Sequence, residues 1–146
     1  MSVQLIGPLS PSTNPIRLPV CGQASCGFPS PAADFAVPDL SLDDLVGITA
    51  TSSIFLMRAW GDSMRGCGIY DSDVLVVDKG KTARPGDIIV AVIGAEFVVK
   101  RLAVDTHGQP LLLAENPDYP PIKFGDAETF EVWGVCVWTL HNLRGI

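Results

Sequence analysis

The sequence predicts a mainly β body, a compact barrel-like or folded sheet, preceded by an extended N-terminal arm. Three observations carry this prediction. Short apolar runs recur between Gly, Pro, Asn and Asp turns from residue 53 onward. No fixed-period repeat is present, and strands do not alternate with long amphipathic helices as a βαβ fold requires. Seven of the twelve prolines, with only two charged residues, Arg17 and Asp34, fall in residues 1–38.

The arm comes first. Prolines fix φ and remove backbone donors, so residues 1–38 should be extended or irregular. Val3, Leu5, Ile6, Ile16, Leu18 and Val20 set this segment apart from a charged disordered tail, because each can occupy a groove. From Pro38 to Val46, leucines at 42 and 45 and a cap at Asp39 or Ser41 predict one short helix. Strands are then expected over Ser53–Ala59, Val74–Asp78, Ile88–Ile93, Glu96–Val104, Leu111–Ala114 and Phe130–Leu140. Between them lie Gly66, Gly68, Gly80, Pro85-Gly86-Asp87, Gly94, Gly108 and the segment Asn116–Pro121, all of them turn chemistry.

Length and charge bound the function. A chain of 146 residues fits one domain that buries about two thirds of its unfolded surface. The longest apolar stretch, Ile88 to Ala95, is far short of the ~20 residues of a membrane helix, and prolines interrupt any secretory signal, so a cytoplasmic protein without membrane contact is expected. Ten basic against sixteen acidic residues leave a net charge of −6, which argues against strong direct nucleic-acid binding. Cys21, Cys26, Cys67 and Cys136 form no C-x-x-C pair, and His107 and His141 stand beside no cysteine or carboxylate cluster in sequence, so no metal site or other cofactor is expected. Cys67 and Cys136 read as small core residues with reduced thiols.

Chemistry is concentrated in two segments. The first, Gly61-Asp62-Ser63-Met64-Arg65-Gly66-Cys67-Gly68, sets a serine among glycines, where backbone N–H groups can converge on an oxyanion. A turn serine bonding its own backbone explains the same letters. Arg65 breaks G-x-S-x-G, S-x-x-K is absent, and neither histidine has a triad partner nearby, which leaves a lysine as the base for an active serine. Of the four lysines, Lys79 and Lys81 sit in a polar turn, whereas Lys100 shares a strand face with Val98 and Leu102. Apolar surroundings favour its neutral amine. Protection of an edge strand by Lys100 and Arg101 is the competing reading. Trp60, just before Gly61, either lines a cleft or packs in the core, and core packing is expected.

In combination, Gly61-Asp62-Ser63-Met64 followed by Val99-Lys100-Arg101-Leu102 resembles the signature of the LexA/UmuD-type self-cleaving Ser/Lys peptidase family. The likeness extends upstream to Cys26-Gly27-Phe28-Pro29-Ser30-Pro31-Ala32-Ala33-Asp34-Phe35, similar to the family's cleavage segment. Downstream it includes Gly86-Asp87-Ile88-Ile89, Leu113-Ala114-Glu115-Asn116 with Tyr119-Pro120-Pro121-Ile122, and Val132-Trp133-Gly134-Val135. The resemblance implies a fold of the LexA C-terminal and signal-peptidase kind, with Ser63 as nucleophile, Lys100 as base, backbone N–H groups of Ser63 and Asp62 as oxyanion donors, and Cys26-Gly27 as the scissile pair. The implied organisation is an arm of residues 1–26 removed by self-cleavage, a linker of residues 27–45 with a short helix, and a β-rich peptidase domain of residues 46–146.

The 26 residues before Gly27 are too few, and too interrupted by proline, for the helix-turn-helix domain that LexA repressors carry there, so the UmuD arrangement is the one expected. That arrangement implies a homodimer, cleavage promoted by a RecA filament on single-stranded DNA, and a trimmed form that serves a UmuC-like translesion polymerase in damage-induced mutagenesis. The alternative is a non-cleaving interaction module of the same fold that binds polymerase or recombinase.

Overall fold

Alternating apolar residues bounded by turns become an antiparallel sheet, and the sheet closes on itself. The computed structural model describes residues 1–20, 37–124 and 129–145. These group into two compact units, Met1–Leu9 with Ser52–Ile146, and Ser10–Thr51.

The larger unit holds β1 (Ser2–Pro8), β4 (Ile54–Trp60), β5 (Val74–Asp78), β6 (Ile88–Ile93), β7 (Glu96–Val104), β8 (Pro110–Leu113), β9 (Ile122–Lys123) and β10 (Glu131–Leu140). The smaller unit holds β2 (Leu18–Val20), β3 (Val37–Leu40) and α1 (Leu42–Val46). The expected strands over Val74–Asp78, Ile88–Ile93 and Glu96–Val104 appear with those bounds, those over Ser53–Ala59 and Leu111–Ala114 are shifted by one residue at both ends, and Phe130–Leu140 begins one residue later.

Strand order is β1-β4-β5-β10-β6-β7-β8-β9, and β1 also pairs with β7 through Ser2 and Val98. Six strands, β1 to β7 in that order, therefore form a ring, and β8 and β9 extend beyond it. Closure removes the free edges that an open sheet would expose. Ser2–Pro8 carries no strong strand signal because Gly7 and Pro8 read as breakers. Its pairing with β4, from Ser2↔Trp60 to Pro8↔Phe55, accommodates them through a register shift between Leu5 and Gly7.

Strand alternation divides the apolar residues into two clusters. One face carries Val3, Met57, Leu75, Val77, Val90 and Val99, joined by Met64 and Ile69 of the loop after β4. The other carries Ile89, Ala91, Leu112 and Val135, against which Val98, Leu102, Ile122 and Phe124 pack. Gly134 lets β10 approach β5, since a Cβ there would lie 2.7 Å from Cγ1 of Val77. Cys67 and Cys136 are free thiols at the margin of the first cluster, and burial pushes the Cys136 thiol up to about 12.

In the smaller unit the helix is shorter than its pattern suggested. Ser41 caps it: Oγ of Ser41 accepts from the backbone N–H of Asp44 at 3.1 Å while the Asp44 carboxylate accepts from Ser41 N at 3.2 Å. Gly47 ends it in the left-handed conformation at φ 76°. Arg17 Nη1 meets the Asp44 carboxylate at 2.5 Å. Among the described residues no helix is long and apolar enough to cross a membrane.

Candidate active site

The loop that leaves β4 turns sharply because its glycines permit it. Gly61 adopts φ 99°, and the single 3-10 turn Arg65–Cys67 closes at Gly68 with φ 87°. Ser63, between them, is 1 % exposed. Lys100 lies in the middle of β7, opposite Ile89 of β6, on the face that holds Val98 and Leu102. It is 6 % exposed.

The two side chains meet. Nζ of Lys100 lies 3.2 Å from Oγ of Ser63, both buried. Desolvation lowers the pKa of Lys100 below the ordinary lysine value, because an ammonium loses hydration there that its neighbours do not replace. The N-terminal amine beside it acts in the opposite direction. A neutral amine at this distance can take a hydroxyl proton, which turns Ser63 into an alkoxide-like nucleophile.

A third group converges on the same oxygen. Strand β1 delivers the Met1 nitrogen to 2.6 Å from Oγ of Ser63, and the Met1 carbonyl accepts from Val99 N at 2.9 Å. Burial, then the neighbouring charge of Lys100, lowers that amine to about 6.

The Ser63 loop is held from the other side by the segment after β8. Glu115 N donates to Ser63 O at 2.8 Å, and Gly66 N donates to Glu115 O at 2.7 Å. The Asn116 side-chain amide donates to Asp62 O at 3.1 Å, and the Tyr119 hydroxyl donates to Oδ1 of Asp62 at 2.6 Å. The Tyr119 ring centroid is 5.5 Å from Nζ of Lys100. Arg101 anchors the same segment through Glu115, with a second bond to Gly86 O.

Ser63 and Lys100 are thus brought together, and Asp62 lies in the same loop with its carbonyl and carboxylate both engaged. Cys26 and Gly27 lie outside the described residues. Sequence reasoning placed Asn116 and Tyr119 in a turn and among the segments that resemble the family, but gave neither a role at the site. Their one local signal was a polar turn directly following a strand, which does not say which loop it touches.

One expectation is corrected. Trp60 does not pack in the core: it is 42 % exposed, at the rim of an open depression of about 490 Å³ shared with Arg58, Asp73 and His141. Its position at the end of β4 turns the indole outward, whereas Ala59 beside it is buried. His141, which has no carboxylate beside it in sequence, gains one in the fold: its Nδ1 lies 2.5 Å from Oδ1 of the buried Asp73, 68 residues earlier. Pairing of β10 with β5 brings these strand ends together.

The family model for Peptidase S24-like proteins matches residues 19–137. The LexA repressor of Delftia acidovorans is 38 % identical over 128 residues, which is 88 % of this chain and 56 % of the repressor. Protein SamA of Salmonella typhimurium is 37 % identical over 133 residues, covering 91 % of this chain and 89 % of that protein. Protein MucA of Salmonella typhimurium is 40 % identical over 117 residues, covering 80 % of this chain and 78 % of that protein. The chain spans little more than half the length of the LexA repressors it matches.

Proposed function

This chain belongs to the Peptidase S24-like family, and we propose that it is a serine endopeptidase that cuts its own Cys26–Gly27 bond with Ser63 and Lys100. One observation carries the reading: Nζ of Lys100 stands 3.2 Å from Oγ of Ser63 in a buried setting that favours the neutral amine. The likeness of residues 26–35 to the cleavage segment of self-cleaving relatives supports the choice of bond.

In the proposed reaction the neutral amine of Lys100 takes the proton of Ser63, and Oγ attacks the carbonyl carbon of Cys26. The resulting oxyanion is held by the backbone N–H groups of Ser63 and Asp62. Collapse breaks the C–N bond, and the Lys100 ammonium returns its proton to the departing amino group of Gly27. Water then hydrolyses the ester between Ser63 and Cys26, with Lys100 again as base, to give residues 1–26 and 27–146. Gly27 brings no Cβ into the cleft, and Cys26 is small enough for a narrow pocket.

The wider role rests on a UmuD-like organisation: an arm over residues 1–26, whose Ser2–Pro8 pairs with β4 before the cut, a linker over residues 27–45 and a β-rich domain over residues 46–146. A RecA filament on single-stranded DNA promotes the cut by binding the cleavage-competent placement of the arm more tightly. The trimmed homodimer then serves as an accessory subunit of a UmuC-like translesion polymerase in the cytoplasm. An acidic protein of net charge −6 fits a role that reaches DNA through partners.

The test is incubation of the purified full-length protein from pH 7 to 10, followed by intact mass, with Ser63→Ala and Lys100→Ala in parallel. A fragment beginning at Gly27 that grows with pH and is absent from both variants is the expected result. Absence of any cut, even with a RecA filament on single-stranded DNA, overturns the reading in favour of a non-cleaving interaction module.

A further inference from the structure

The segment after β8 grips the nucleophile loop by its carbonyl oxygens. Asn116 Nδ2 donates to Asp62 O at 3.1 Å, and Glu115 N donates to Ser63 O at 2.8 Å. The carbonyl of Asp62 and the N–H of Ser63 belong to one peptide unit. Such a unit is planar and trans, so its C=O and N–H point in opposite directions. A donor that fixes Asp62 O therefore also fixes the direction of the Ser63 N–H.

We infer that Asn116 is a positioning residue for the self-cleavage reaction, aiming the Ser63 N–H at the oxyanion by holding the Asp62–Ser63 peptide plane. The inference rests on the self-cleavage reading above and adds to it a residue outside both sequence segments that suggested the chemistry.

Asn116 is built for a single orientation. It is 5 % exposed, and its Oδ1 accepts from Asp118 N at 3.0 Å while its NH2 faces Asp62 O. Reversing the amide would set an NH2 against an N–H and an oxygen against a carbonyl oxygen, losing both bonds. Tyr119 ties the Asp62 side chain through its Oδ1 at 2.6 Å, so the plane and the side chain of Asp62 are held from one segment. The ground-state carbonyl of the substrate needs this N–H far less than the tetrahedral oxyanion does, so the effect falls on the rate at saturation of the base.

The experiment measures first-order self-cleavage of the full chain from pH 7 to 10 for the wild type, Asn116→Ala and Asn116→Asp, with thermal unfolding of each. Asn116→Asp keeps the shape and the acceptor for Asp118 N but removes the side-chain donor to Asp62 O, leaving the Arg65 N–H at 3.2 Å as the donor on that carbonyl. Removing an oxyanion donor outright costs about 10²- to 10³-fold, so misaiming one should lower the limiting high-pH rate about 10- to 100-fold in both variants. The midpoint of the pH profile in Asn116→Ala should stay at the wild-type value, because the base and its burial are untouched.

A limiting rate within about twofold of wild type in Asn116→Asp overturns the inference, twofold being under 0.5 kcal/mol of barrier. So does a shifted midpoint with an intact limiting rate, or loss of cooperative unfolding in both variants, which would make Asn116 a scaffold residue. If the wild type itself makes no cut, the self-cleavage reading falls first and this inference with it.

Discussion

Lys100 and Ser63 stand side by side, Nζ to Oγ at 3.2 Å, although 37 residues separate them in the chain. The contact exists because β7 crosses the barrel wall beside the loop that leaves β4, and because neither side chain has water to turn to. Burial lowers the Lys100 pKa, so self-cleavage should rise with pH through a midpoint below that of an ordinary lysine. Lys100→Arg keeps the charge but cannot deprotonate. It should cut at least about 10²-fold more slowly at every pH, as read by intact mass.

The same burial costs stability. With the folded pKa of Lys100 depressed, the unfolded chain binds more protons between the folded value and the ordinary lysine value. Stability therefore rises with pH across that window and falls back as pH drops through the folded value. Lys100→Met should remove the cost and raise Tm at pH 7 by a few degrees. Calorimetry of Lys100→Met and Lys100 chains, both carrying Ser63→Ala to prevent a cut, should show a gap that narrows as pH rises to 10.

Gly66 is needed for close approach. A Cβ there would sit 2.5 Å from the backbone oxygen of Glu115, in the segment whose N–H holds Ser63 O. Gly66→Ala should destabilise the fold by about 1–3 kcal/mol in urea unfolding. It should also slow the proposed self-cleavage, since relief of the clash moves Glu115 away from the Ser63 loop.

Asp73 secures the end of β10. Its carboxylate is 1 % exposed and accepts from Tyr70 N at 2.8 Å and from the Thr139 hydroxyl at 3.2 Å, with His141 Nδ1 at 2.5 Å. Asp73→Ala leaves these groups without their acceptor and should cost about 2–4 kcal/mol. Urea denaturation at constant pH measures it.

Much of this was legible in the chain itself. The strands Val74–Asp78, Ile88–Ile93 and Glu96–Val104 announced themselves because apolar residues lie between turn-forming Gly, Pro and Asp, and that signal is local. The short helix was legible through Ser41, which satisfies the first orphan N–H groups. Ser2–Pro8 was not, because Gly7 and Pro8 mask a strand whose stability comes from its partner β4.

What the sequence by itself determined is the run of β-strands, the buried setting of Lys100 and the short motif around Ser63. These follow from alternation, turn chemistry and residue type, which act over a few neighbours. The pairing of Lys100 with Ser63 was expected from the family resemblance, and the tertiary structure alone decided the distance at which they meet, that Met1 lies over the same oxygen, that Asn116 holds Asp62 and that His141 meets Asp73. Each of those contacts joins residues 37 or more positions apart. Their geometry depends on strand order, register and closure of the barrel, which no local pattern encodes.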